Sequence, residues 1–275
     1  MKYLQKSFDY LQPEIAEAYD EVSFWSAPFG LLLLREIPLI SKGMALDLGC
    51  ATGFPLLTLA QRLGPDVRVM GLDPWLAAIE RAHRKATAFE IRNVELHHGT
   101  TADIPFDDED FDLVVSNLGI NNFENPSQAF DEVNRVLKMK GRLCLTTNPI
   151  GTFARFYEVM LETLAEVGQE KAIFELSKHI SARRTRSQLE DLFYEAELDL
   201  ERVVEETHIM RYANGTAFLN DYFIILGFLP GWKDIVKGQL QEKIFKLIEE
   251  KLNAIAKKEG ELRMEVPMLY MEGKK

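Results

Sequence analysis

Cysteine is scarce. Two in 275 residues cannot build a disulfide framework, and neither has the neighbouring ligands that a zinc site needs. Cys50 falls in a glycine-bearing turn and Cys144 in an apolar run, so both are expected to be small reduced core or loop residues, and no metal site is expected. Basic charge is also short: 32 Lys and Arg stand against 43 Asp and Glu, for a formal net charge of −11. An acidic surface opposes approach to a phosphate backbone, which excludes a sequence-independent nucleic-acid binder. No apolar run reaches the roughly 18 residues of a membrane span. Phe218 to Leu229 is strongly apolar, but it is short and polar at Asn220 and Asp221, which suits core packing or a pocket cap first and a dimer contact second. Met1 to Gln12 mixes charges with apolar residues, unlike a signal peptide, so a cytoplasmic location is expected. The chain is long enough for one large domain, and its apolar content of 47% is ample for a core.

The most informative stretch is Ala45 to Gly53, followed by Asp73. Met44 to Leu48 is a short apolar run interrupted by one acid, Gly49 to Gly53 is a turn of small residues, and Pro55 to Leu63 has helical character. Strand, glycine turn and helix in that order allow a ligand to approach the backbone closely, and the N–H groups of turn and helix start favour an anionic group. Val67 to Leu72 is a second strand, and Asp73 at its end is placed to accept hydrogen bonds from both hydroxyls of a ribose. Nicotinamide enzymes share a glycine turn plus an acid, and two details separate the possibilities. A dinucleotide fingerprint has a small residue three positions after its second glycine, where this chain has Leu56. Asp47 would repel a pyrophosphate, yet it suits a cofactor that carries an ammonium and a sulfonium. The expected cofactor is S-adenosylmethionine.

These residues resemble the class I S-adenosylmethionine-dependent methyltransferases, in the branch of the ubiquinone and menaquinone C-methyltransferases. The likeness covers about residues 40–150. Asp47 to Gly53 resembles the family's first motif, with Ala51 where a central glycine is usual, a change of one methyl. Gly71-Leu72-Asp73-Pro74 resembles the second motif, whose acid holds the ribose. Gly99 to Phe106 resembles the segment that wraps the adenine, with Thr100 where many relatives carry aspartate; its hydroxyl oxygen can still accept from the adenine amine. Phe111 to Asn117 resembles the fourth strand, after which the family places substrate and the methionine end of the cofactor. The resemblance thus implies cofactor contacts at Asp47, Gly49, Cys50, Ala51, Gly53, Asp73, Pro74, Thr100, Thr101 and Asn117.

The remaining pattern fits an α/β fold. Asn125-Pro126 caps and starts a helix whose apolar stripe is Ala129, Phe130, Val133, Val136 and Leu137, and Gly141 is expected to end it before a fifth strand at Arg142 to Thr147. Strands alternating with helices imply a parallel sheet covered on both faces. The family arrangement implies a Rossmann-like sheet of seven strands with the last antiparallel, the sixth near Leu200 to Thr207 and the seventh near Leu262 to Met271. A single domain over 1–275 is expected, with a core of about 40–150 plus the C-terminal strands. Helical insertions at about 151–186 and 215–259 are expected to cap the substrate pocket, because ligands in such sheets sit beyond the carboxyl ends of the strands. Ile235 to Ile255 has the spacing of a helix with one buried stripe.

Methyl transfer is largely a positioning problem, with a base needed only where the acceptor must lose a proton. No residue is assigned as catalytic. His97 and His98 close the third strand and are more in keeping with packed or solvated residues. Tyr19 and Trp25, in an Ile15 to Gly30 segment that can fold over the cofactor, and Asn121 and Asn122 after strand four are candidates for substrate contact; the asparagines equally suit a turn. The basic cluster Lys178, His179, Arg183, Arg184 and Arg186 either binds a carboxylate or phosphate or is a solvated helix face paired with Glu175 and Glu190. An Asn-or-Asp-Pro-Pro-aromatic tetrapeptide, typical of amino-directed nucleic-acid methyltransferases, is replaced by Ser116-Asn117-Leu118-Gly119. Two cysteines are too few for an arsenite methyltransferase. A small organic methyl acceptor is expected, methylated on carbon, oxygen or nitrogen, with oligomeric state open. The alternative from another class is an S-adenosylmethionine-binding sensor or assembly factor that transfers no methyl group.

Overall fold

The computed structural model describes residues 1–21 and 24–275. In chain order the elements are α1 (Pro13–Glu21), α2 (Ser26–Glu36), β1 (Gly43–Leu48), α3 (Leu56–Leu63), β2 (Val67–Asp73), α4 (Leu76–Ala88), β3 (Val94–His98), β4 (Phe111–Asn117), α5 (Pro126–Val136) and β5 (Leu137–Thr147). They continue with α6 (Ala154–Glu166), α7 (Glu170–Ser181), α8 (Arg186–Glu195), β6 (Asp199–Tyr212), α9 (Gly215–Leu219), α10 (Tyr222–Gly227), α11 (Leu229–Ile235), α12 (Gln241–Glu259) and β7 (Leu262–Lys274). The seven strands form one sheet in the order β3-β2-β1-β4-β5-β7-β6. β1 pairs in parallel with β2 and β4, and β7 pairs antiparallel with β5, as the resemblance implied. The fold is a Rossmann-like, mostly parallel sheet with helices on both faces.

The chain divides into two compact units. The first comprises Asp9–Asn148, Thr185–Glu206 and Met268–Lys275. Its central strands are near-continuous apolar runs because both sheet faces are covered: Leu46, Leu48, Met70, Leu72, Phe111 and Val114 are all buried in one core with Phe130, Val133 and Phe193. Asn125 caps α5 by accepting from the Gln128 N–H at 3.3 Å, and Ala129, Phe130, Val133 and Val136 are buried as the stripe required. The end of α5 differs from expectation. The helix stops at Val136, and β5 begins at once with the fully buried Leu137 opposite Phe111. A bulge, with Lys140 at φ 72°, then carries the strand past the exposed Met139 and Lys140, so Gly141 lies inside β5 and does not end the helix. β6 is longer than its acidic sequence suggested, because it lies at the sheet edge where Glu201, Glu205 and Glu206 reach solvent.

The second unit comprises Met1–Phe8, Pro149–Arg184 and Thr207–Pro267 and is mainly helical. Its centre is aromatic: Phe156 stacks on Trp232 at a 3.9 Å centroid distance, and Phe153, Phe218 and Phe228 pack around them. The apolar stretch Phe218 to Leu229 is thus core. The long C-terminal helix begins at Gln241, six residues after Ile235, with Ile244, Phe245, Ile248 and Leu252 fully buried. Among the described residues, no helix is long and apolar enough to cross a membrane.

Candidate functional site

The carboxyl ends of β1, β2 and β4 converge in the first unit. Asp47 stands in register with Gly71 of β2 and Val115 of β4. Its side chain is 0% exposed, and neither carboxylate oxygen makes a hydrogen bond of ordinary geometry among the described residues; the Leu56 N–H at the start of α3 faces it loosely, and no cation lies beside it. Burial, and next the charge of Asp73, push this carboxyl from its ordinary value near 3.8 up to about 8. A buried acid left unpartnered is costly, and native proteins tolerate it mainly where a ligand completes it.

The turn after β1 is built on left-handed backbone: Gly49, Ala51 and Gly53 have φ of 79°, 43° and 94°. A Cβ at Gly49 would come within 3.2 Å of the Gly119 Cα, and one at Gly53 within 3.1 Å of Ala82. Ala51 therefore differs from glycine by more than a methyl, since an L-residue is strained there. The N–H groups of the turn are mostly engaged internally. Gly49 donates to Leu72 O at 2.8 Å, Ala51 to Asp73 Oδ2 at 2.9 Å and Gly53 to Cys50 O at 2.8 Å, so the turn is less open to an anion than its composition suggested. The Cys50 side chain is fully buried beside Gly71, which leaves only its backbone to face a ligand.

Asp73 closes β2. Besides Ala51, it accepts from the Trp75 N–H through Oδ1 at 2.8 Å. A carboxylate has about four lone-pair directions, so each oxygen keeps one for a further donor. Pro74 and Trp75 line a cavity of about 640 Å³ together with Tyr10, Leu76, Glu80 and His98. Trp75 and Tyr10 escaped the sequence reading, for which an aromatic residue two positions after the ribose acid was the available signal, whereas His98, read there as a packed or solvated strand-end residue, is exposed on the cavity wall.

Tyr19 of α1 packs edge-on against Trp75 at 5.4 Å, and burial and the charge of Asp73 push its hydroxyl up to about 12. Asp20 beside it is held by Lys85 Nζ at 2.6 Å and Arg81 Nε at 3.0 Å, while Lys85 also donates to Thr52 O in the turn at 2.9 Å. Helix α1 is thereby fastened to α4 and to the motif turn, a linkage that no sequence pattern announced. Trp25 is buried against Phe29 at a ring-centroid distance of 5.7 Å. Residues 22 and 23 of the Ile15 to Gly30 segment lie outside the described residues.

Thr100 is exposed and Thr101 half-buried in the loop after β3, and neither hydroxyl makes a hydrogen bond among the described residues. Asn117 ends β4, accepting from Thr146 Oγ1 at 2.7 Å and donating to Ser26 O at 3.4 Å. Asn121 is tied at both ends, donating to Asn148 Oδ1 at 2.7 Å and accepting from Thr147 Oγ1 at 2.8 Å. Asn122 is exposed. His97 packs edge-on against Phe106 at 4.9 Å, in keeping with a packed residue.

Residues 40–203 match the family described as methyltransferase domain, more than half of the chain. The chain belongs to this methyltransferase family. Its resemblance to the quinone C-methyltransferase branch is borne out by curated relatives. The methyltransferase chain is 35% identical over 111 residues to a demethylmenaquinone methyltransferase of Listeria monocytogenes, covering 40% of this chain and 47% of the relative. It is 37% identical over 117 residues to the enzyme of the same name from Lactiplantibacillus plantarum, covering 42% and 49%. The matched stretch thus spans about half the length of those relatives. Among solved structures, the YcgJ protein of Bacillus subtilis is similar at TM-score 0.58 and 18% identity over 90% of this chain and 97% of that one. A SAM-dependent methyltransferase from Aquifex aeolicus is similar at TM-score 0.55 and 19% identity over 72% and 93%. At these identities the structures speak to the fold.

Proposed function

We propose that this protein transfers a methyl group from S-adenosylmethionine to a small organic acceptor. The observation that carries the reading is Asp47, a buried acid near the end of β1 with no cation beside it among the described residues. A ligand ammonium pairs with it in its ionised form, whereas a pyrophosphate gains no counter-charge from it in either form. Asp73 retains an acceptor direction on each oxygen, which suits the two hydroxyls of a ribose. Gly49, Cys50, Ala51 and Gly53 offer backbone at close approach, Pro74 flanks the nucleoside, and Thr100, Thr101 and Asn117 complete the set that would hold the cofactor. Tyr19, Trp25, Asn121 and Asn122 remain the proposed substrate-side residues, with Asn121 acting mainly by fixing the segment after β4. The bound cofactor supplies a methyl carbon already activated by its sulfonium. The protein's part is to hold the partners in line and exclude water. Asp47 keeps its proton near neutral pH until an ammonium takes its place.

Calorimetric titration with S-adenosylmethionine, S-adenosylhomocysteine and NAD, on wild type and Asp73→Ala, tests the reading. Binding of an adenosyl ligand that is lost in the variant, with no heat from NAD, supports it and justifies an acceptor screen with labelled methyl groups. Saturable NAD binding without adenosyl-ligand binding overturns it. Cofactor binding with no turnover across the screen would favour a sensor or assembly factor.

A further inference from the structure

The basic cluster at 178–186 separates into residues with quite different surroundings. Lys178 pairs with Glu175 at 3.5 Å and lies over the Phe174 ring at 4.5 Å. Arg186 pairs with Glu190 at 2.7 Å and with Glu205. These two are the solvated helix-face pairs that the sequence allowed. Arg183 is different: it is half-buried in the helical unit, and no carboxylate pairs with it among the described residues.

What surrounds Arg183 is aromatic and neutral. Its guanidinium carbon lies 5.5 Å from the centroid of the Phe228 ring, and it faces the Tyr157 hydroxyl. Tyr157 is buried, accepts from Trp232 Nε1 at 3.2 Å and sits 3.2 Å from His179 Nε2. Burial and the charge of Arg183 hold His179 below its ordinary value, which favours its neutral form. Arg183 is therefore a fixed positive charge, partly removed from water, with a ring face and a hydroxyl beside it and no opposing charge. Desolvating a guanidinium without a counter-charge is unfavourable, and the ring and hydroxyl offset only part of that cost. The fork of donors on arginine matches the oxygens of a carboxylate or phosphate, which bring the missing charge.

We propose that Arg183, backed by Tyr157 and His179, forms an oxyanion-binding site in the helical unit that takes the carboxylate or phosphate group of a small molecule. Its residues all belong to that unit, so its test is separate from that of the cofactor site.

The experiment titrates the full chain with inorganic pyrophosphate and, separately, with benzoate, at constant ionic strength, by calorimetry and by following the His179 ring proton resonance. Wild type, Arg183→Gln, Arg183→Lys and the control Arg186→Gln are compared. Wild type binds at least one probe saturably, and the added negative charge moves the His179 resonance. Arg183→Gln weakens that binding by about tenfold or more, Arg183→Lys by about threefold or more, and Arg186→Gln leaves it within about twofold. Binding of pyrophosphate alone assigns the site to phosphates, and of benzoate alone to carboxylates. Absence of binding by both probes at about 10 mM overturns the proposal, as does affinity in Arg183→Gln within about twofold of wild type. Should Arg183→Gln fail to fold, unchanged affinity in Arg183→Lys overturns it, because that variant keeps the charge and loses the fork.

Discussion

Replacing Asp47 with asparagine probes the site through its electrostatics. The wild-type carboxyl is 0% exposed, has no cation beside it among the described residues, and is pushed by burial and the charge of Asp73 from 3.8 to about 8. A group whose folded value is raised contributes stability that is fully present below its unfolded value near 3.8 and is lost as pH rises through 8. At about 1.4 kcal/mol per pH unit, the separation sets a ceiling of roughly 6 kcal/mol above pH 8 and roughly 4 kcal/mol at pH 7. Asparagine mimics the protonated acid and cannot ionise. The ligand-free variant should match wild type near pH 4 and exceed it by at least about 2 kcal/mol at pH 8, a gain of roughly 4–8 °C in melting temperature for a chain of this size. Paired denaturation curves from pH 4 to 9 check it. Binding supplies a second readout of opposite sense. An ammonium-bearing ligand selects the ionised acid, so wild-type affinity for S-adenosylhomocysteine should rise about tenfold from pH 6 to 7, whereas the variant binds more weakly and without that slope. A stability difference that stays flat between pH 4 and 8 would refute the reasoning, because Asp47 would then ionise as freely in the folded protein as in the unfolded chain.

Two further substitutions test neighbouring parts of the site. Ala51→Gly removes the strain of an L-residue at φ 43° and should stabilise the protein by about 1 kcal/mol, read from the denaturation midpoint; a destabilised variant would mean that the methyl makes compensating contacts. Asp20→Asn breaks the ion pairs to Lys85 and Arg81 and should cost about 2 kcal/mol at pH 7 and hasten proteolytic cleavage around α1. Burial pushes Asp20 up, but its bonds to Lys85, Thr52 and Arg81 hold it below its ordinary value. Its stabilisation is therefore present above pH 3.8 and disappears as pH falls through the lowered value, so wild type and variant should converge in acid.

The central strands were legible because parallel strands covered on both faces must be near-continuous apolar runs. The β1 turn was legible because only small residues follow so tight a path. Elements whose limits depend on partners were less so. Leu137 joins β5 because Phe111 lies opposite it, and β6 extends to Tyr212 because an edge strand can turn its acids to water. Neither partner is visible in a local window of sequence.

Within the site the same division holds. Residue type and spacing by themselves determined that an acid stands before the turn, that another ends β2, and that a family resemblance follows. Only the tertiary structure decided their states. It left Asp47 buried without a cation beside it among the described residues, satisfied half of Asp73 through Ala51 and Trp75, and turned Cys50 into the core. Within one basic cluster it paired Lys178 and Arg186 with carboxylates and set Arg183 among neutral groups, with no carboxylate beside it among the described residues. Chain order records which groups are present, whereas desolvation and pairing depend on which groups meet once distant segments pack, and those determine their charge.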